Sequence, residues 1–117
     1  MFYILIRYKI LDLEDVMEKI TRREEQIMLA IGTLQENAYL VAIRKHLSGV
    51  MRKDWSIGAI HIPLRRLERA GFIEACFGEA TAVRGGRRKK IYKLTNQGIE
   101  ALKENKRVTD ILWANFS

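Results

Sequence analysis

The sequence predicts a mainly α-helical single domain with one small β-hairpin and a long C-terminal helix. Three observations carry that expectation. Apolar residues recur at steps of three and four in several separate stretches, as on amphipathic helices. One region, residues 72–94, instead shows two short apolar and aromatic runs separated by glycines, as in two strands and a turn. The length of 117 residues allows one modest core and is too short for two domains.

The first twenty residues form a leader, read as helical. Phe2, Ile4, Ile6, Tyr8 and Ile10 alternate as in a strand, while Leu13, Val16, Met17 and Ile20 follow helical spacing. The run Phe2 to Ile6, closed by Arg7, is too short for a signal-peptide core or a membrane span. The first sixteen residues are expected to be dispensable for folding, with Met17 as an alternative start.

Thr21-Arg22-Arg23-Glu24 has the form of a capping box, in which a threonine hydroxyl and a glutamate carboxylate each take the other's backbone amide. The helix it opens carries Ile27, Met28, Ile31 and Leu34 on one face. Gln35-Glu36-Asn37 ends it, and Asn37 is the expected cap of a second helix with Leu40, Ile43, Leu47 and Val50 in line. Ser48-Gly49 begins the end of that helix, and residues 50–55 connect to the next. Ser56 caps a third helix that runs to about Ala70 and stops at Gly71. Its apolar stripe is Ile57, Ile60, Leu64 and Leu67, with Pro63 expected to kink or distort it. Gly58, Ile62, Arg65, Arg66 and Arg69 fall on the other side.

Phe72 to Phe77 and Lys89 to Leu94 read as the two strands. Between them lies a loop with Gly85-Gly86 and Arg87-Arg88 at its tip. Thr95 caps the last helix, whose apolar line is Ile99, Leu102, Val108, Leu112 and Phe116, interrupted by Asn105 and widened by Ile111 and Trp113. That face exceeds what so small a domain can bury, so Leu102, Val108, Ile111, Leu112, Trp113 and Phe116 are the expected dimer interface.

Charge narrows the partner. The chain carries a net +7, and the eleven basic and four acidic residues between Arg52 and Lys93 account for all of it. A basic region within a neutral scaffold is the footprint of a polyanion. No chemistry competes with that reading. Cys76 is the single cysteine, read as a small packing residue of a strand, and with His46 and His61 it cannot form a four-ligand zinc site. Paired carboxylates, a nucleophile with its base, and a phosphate-binding glycine motif are missing, so no enzyme, metal or cofactor is expected.

Three helices followed by a hairpin, with a basic third helix and a basic tip, describe a winged helix-turn-helix over residues 21–95, followed by a dimerisation helix over 96–117. The third helix would enter the major groove of double-stranded DNA, with Ser56, Gly58, Ala59, His61 and Ile62 facing the bases. Arg65, Arg66 and Arg69 would hold phosphates at its edge, and Arg84, Arg87, Arg88 and Lys89 would form the wing contact.

Three segments resemble a known family. Gly58-Ala59-Ile60-His61, Leu64-Arg65-Arg66-Leu67-Glu68 and Gly71-Phe72-Ile73 are similar to the third-helix signature of PadR-type transcriptional regulators. Gly85-Gly86-Arg87-Arg88-Lys89-Lys90-Ile91-Tyr92-Lys93-Leu94-Thr95 with Gly98 resembles that family's wing and the start of its last helix. Arg23-Glu24-Glu25-Gln26-Ile27, and Ala38-Tyr39 with Ile43, match its first two helices. The resemblance spans Thr21 to about Leu112. It implies a homodimer joined through the C-terminal helix, of the small subtype with a single helix after the wing. It also implies a repressor released by a small hydrophobic ligand, which an aromatic such as Trp113 would line. The pattern departs at two places: His61 stands where many members have a tyrosine, and Pro63 comes one residue later than the usual proline.

The expected function is a sequence-specific, dimeric, DNA-binding transcriptional regulator in the cytoplasm. The alternative is a winged-helix module that binds protein and not DNA, against which the basic wing argues.

Overall fold

The computed structural model describes residues 20–78 and 89–116, and its element order is three helices, a hairpin and a long helix. The expectations on residues 1–19, and on Arg84, Arg87 and Arg88 of the wing tip, lie outside the described residues.

Helix α1 spans Arg22–Leu34 and opens with the capping box in full. Thr21 Oγ1 accepts from the Glu24 amide at 3.1 Å, and the Thr21 amide donates to Glu24 Oε1 at 2.9 Å. A 3-10 turn at Gln35–Asn37 follows, then α2 over Leu40–Met51 and α3 over Ile57–Ala70. Strand β1, Ile73–Phe77, pairs antiparallel with β2, Lys90–Leu94, in the register Ile73 opposite Leu94 and Phe77 opposite Lys90. On its other side β2 meets the chain before α2, where the Tyr92 amide donates to the Ala38 carbonyl at 2.8 Å and Tyr39 bridges Ile91. Helix α4 then runs Asn96–Phe116.

The apolar stripes converge on one core. Ile27, Met28 and Ile31 of α1, Ile43 and Leu47 of α2, and Ile60, Leu64 and Leu67 of α3 are buried there with Phe72, Ile73 and Tyr92. Ser56 caps α3 by accepting from the Ala59 amide at 3.1 Å, and Gly71 ends it at φ +83°, where a side chain would be strained. Thr95 clasps the start of α4 to the end of α3. Its hydroxyl donates to the Gly71 carbonyl at 2.7 Å and accepts from the Gly98 amide at 3.0 Å.

Four local expectations are corrected. Helix α2 passes through Ser48-Gly49 and ends at Met51, because Arg52 takes the left-handed conformation at φ 52° and closes it. Its N-cap is Tyr39, without a side-chain bond, and Asn37 instead closes the 3-10 turn. Val50 and Ile57 are exposed, because their apolar stripes run past the end of the core they pack against. Cys76 is exposed too, since the two-stranded sheet buries Ile73 and Tyr92 but leaves this part of β1 uncovered. Helix α3 runs on continuously through Pro63. Among the described residues, no helix is long and apolar enough to cross a membrane.

Candidate nucleic-acid interface

The face of α3 turned from the core carries the side chains expected to meet DNA. Ser56, Gly58, His61, Ile62, Arg65 and Arg69 are exposed, and Ala59 is half-buried. Ile62, at 71% exposed, is one of the largest apolar surfaces on the domain. His61, Arg65 and Arg69 follow one another at four-residue steps, so they stand one above the next on the helix. Together with Glu68 and Lys90 they line a shallow groove between α3 and the hairpin.

Lys90 is the residue that the site reading missed. Its ammonium lies 3.4 Å from Glu68 Oε1 and joins β2 to α3 beside the arginines. Its place depends on hairpin register, a long-range pairing that local sequence does not encode. Lys89 stands over the ring of Tyr39 with its nitrogen 4.1 Å from the centroid, so the start of the wing is held against the α2 cap by a cation–π contact.

Arg66 is placed differently from its neighbours. It reaches across to the start of α1, where its Nη1 is 3.7 Å from Oε1 of the buried Glu24.

Trp55 braces the loop before α3. It is buried, its carbonyl accepts from Arg44 Nε at 2.7 Å, its amide donates to Ser48 Oγ at 3.3 Å, and the Arg23 guanidinium lies 5.4 Å from its ring centroid. The approach of α3 to any partner is therefore set from both the α1 and the α2 side.

At the other end of the molecule, α4 leaves the core. Asn105 Nδ2 donates to Glu25 Oε2 at 3.2 Å and ties the helix to α1, and Leu102 packs on the core. Beyond that point the helix carries ion pairs of its own, Lys106 with Asp110 and Arg107 with Glu104. The hydrogen bonds from Arg107 pull the Glu104 carboxyl below the usual carboxylate range and raise Arg107 in turn. Ile111, Leu112, Trp113 and Phe116 are exposed, and Trp113 and Phe116 meet edge to face at 5.8 Å.

Residues 28–104 match the model of the PadR-like family of transcriptional regulators. A PadR-like transcription factor from Bacteroides fragilis is 26% identical, with 90% of this chain and 95% of that one covered and a TM-score of 0.69. A PadR-family regulator from Eggerthella lenta is 23% identical, with 98% and 91% covered and a TM-score of 0.62. A transcriptional regulator from Clostridium thermocellum, 21% identical with 80% and 85% covered and a TM-score of 0.60, shares the fold. No curated protein sequence matches the chain. With a family match over more than half its length, on a winged-helix fold whose third helix presents a basic face, the chain belongs to the PadR-like transcriptional regulators, a family of DNA-binding proteins and not of enzymes.

Proposed function

We propose that this protein is a cytoplasmic, dimeric, sequence-specific DNA-binding repressor released by a small apolar ligand. The observation that carries the DNA reading is the line His61, Arg65, Arg69 beside Lys90 in the groove between α3 and the hairpin. Ser56, Gly58, Ala59, His61 and Ile62 face base edges, where Ile62 suits a thymine methyl and His61 a hydrogen-bond acceptor. Arg65 and Arg69 hold phosphates at the groove edge, and Arg84, Arg87, Arg88 and Lys89 follow the backbone from the wing.

The dimer reading rests on the apolar end of α4. The ligand reading rests on two apolar hollows. One, of about 520 Å³, lies between α1, the hairpin and α4, with Ile31, Ile91, Leu94 and Ile99 in its walls. The other, of about 380 Å³, lies against Trp113, Leu112 and Phe116. Both volumes suit a small molecule.

Fluorescence anisotropy on a labelled 30-base-pair duplex, repeated over a salt series, tests the DNA reading. Each phosphate neutralised contributes a slope of about 0.9 in log K against log salt. Arg87→Ala with Arg88→Ala is expected to weaken binding to all duplexes alike and to flatten the slope by roughly two to four units for a dimer. No binding by the wild type at low salt would favour the protein-binding alternative.

Gly58 gives a second test. A methyl group built on it meets nothing within 4 Å, so Gly58→Ala is free of clash inside α3. The change is expected to raise stability by about 0.5–1 kcal/mol, because glycine is a poor helix residue. It is also expected to weaken DNA binding, because the added methyl sits where the helix approaches the duplex. Stability and affinity rising together would move the contact away from the first turn of α3.

A further inference from the structure

The sequence places Arg66 with Arg65 and Arg69 as a cation of the DNA-facing helix, but the structure gives it other work. Glu24 is a charged side chain inside the protein, only 2% exposed. Its Oε1 accepts the Thr21 amide at 2.9 Å and faces Arg66 Nη1 at 3.7 Å, while Oε2 has no hydrogen-bond partner among the described residues. A buried carboxylate with an incomplete set of donors depends on its counter-charge, and removing that partner is far costlier than never having had the pair. The Arg66 guanidinium therefore cannot swing to a DNA phosphate without leaving an uncompensated charge at the start of α1. Among the described residues Arg65 and Arg69 carry no such tie: they stand a helical turn apart in the groove with His61 and Lys90.

We propose that Glu24 and Arg66 are positioning residues for DNA reading. The capping carboxylate of α1 holds the recognition helix α3 at a fixed angle through Arg66, and Arg66 neutralises no phosphate. The proposal rests on the DNA-binding function proposed above. Glu24 lies below the surface and touches no nucleic acid, so any effect of its substitution on DNA selectivity passes through α3. The two residues are 42 positions apart and belong to the first and third helices, so the pair is a direct mechanical link between the elements that a helix-turn-helix must keep in register. Arg66 is 58% exposed along its side chain, so the link is closed from the solvent side by the arginine itself.

The test compares variants of the full chain on a random-sequence duplex and on a duplex selected from random pools by the wild type. Arg65→Ala and Arg69→Ala are expected to flatten the salt slope on the random duplex by about two units each for a dimer. Arg66→Ala is expected to leave that slope unchanged while lowering the ratio of selected to random affinity about tenfold. Glu24→Gln keeps the shape of the capping box, since glutamine serves at that position, and removes only the charge. It is expected to lower the same ratio by a similar factor without flattening the slope. Circular dichroism on each variant confirms that the fold is retained. Should Arg66→Ala destabilise the fold, Glu24→Gln and Arg66→Lys carry the test, and Arg66→Lys is expected to lower the ratio because lysine lacks the guanidinium fork. An Arg66→Ala slope as flat as that of Arg69→Ala, or a Glu24→Gln protein with wild-type selectivity, overturns the proposal. Failure of the wild type to bind the random duplex at low salt would instead overturn the DNA-binding function itself.

Discussion

Gly98→Ala is expected to destabilise the domain by about 3 kcal/mol, which lowers the melting temperature of a domain this size by roughly 15 °C. Replacing a helical glycine by alanine ordinarily stabilises, by about 1 kcal/mol. Here the sign reverses for a steric reason. Gly98 lies in the first turn of α4, and a methyl group there would run into the Phe72 carbonyl and crowd the Met28 side chain. The Phe72 carbonyl is backbone and cannot yield cheaply. The Phe72 carbonyl already accepts the Thr95 amide at 3.1 Å, and Phe72 and Met28 are both fully buried in the core. The Gly71 carbonyl next to it accepts the Thr95 hydroxyl, so the whole junction between α3, β2 and α4 would have to open. Thermal unfolding followed by circular dichroism measures the effect. Gly49→Ala is the control: a methyl there meets nothing within 4 Å. It is expected to melt at or slightly above the wild-type temperature. A Gly98→Ala protein with that same behaviour would mean that α4 can lift from Phe72 without cost.

Helix ends made by a side-chain cap or a glycine were legible in the sequence, because such caps are local chemistry; both ends of α2, at Tyr39 without a side-chain bond and at the left-handed Arg52, were not. Thr21 with Glu24, Ser56 and Gly71 act within four residues of themselves, and so does Thr95 where it accepts the Gly98 amide, though its bond to the Gly71 carbonyl spans 24 residues. The core lines were legible for the same reason: a helix carries its apolar period with it. Where that period outran the core, it misled. Val50 and Ile57 continue their stripes in sequence but are exposed, with no opposing element among the described residues. The site was only half legible. Which face of α3 points outward follows from a projection at about 100° per residue. What each cation on that face meets does not. Lys90 enters through hairpin register and Arg66 leaves through a buried carboxylate, and both depend on contacts across at least twenty residues. Charged residues are almost never fully buried unless paired, so a sequence reading places Glu24 on the surface, and the counter-charge that keeps it inside lies 42 residues away.

Leu112→Asp is expected to convert the protein to monomers while leaving each protomer folded. The argument begins with exposure. Leu112, Trp113 and Phe116 are 62%, 67% and 82% exposed, a cluster of large apolar side chains left open among the described residues. A substitution at an exposed position leaves the core alone, so the far-ultraviolet spectrum and the Ile27–Leu64–Phe72 core are expected to be unchanged. In a dimer closed on this turn of α4, the same substitution strands a carboxylate in an apolar contact. Two-fold symmetry then places a second carboxylate there, at a total cost on the order of several kcal/mol. Light scattering reads the outcome as a mass near 13.6 kDa in place of twice that value. DNA binding is expected to fall steeply in parallel, because two half-sites are no longer read by one linked pair of helices and the gain in effective concentration is lost. Leu112→Met, which keeps volume and polarity, is expected to remain dimeric. If Leu112→Asp keeps the doubled mass, the interface lies elsewhere, and the exposed Leu29 on α1, beside Leu102 of α4, is the next surface to substitute.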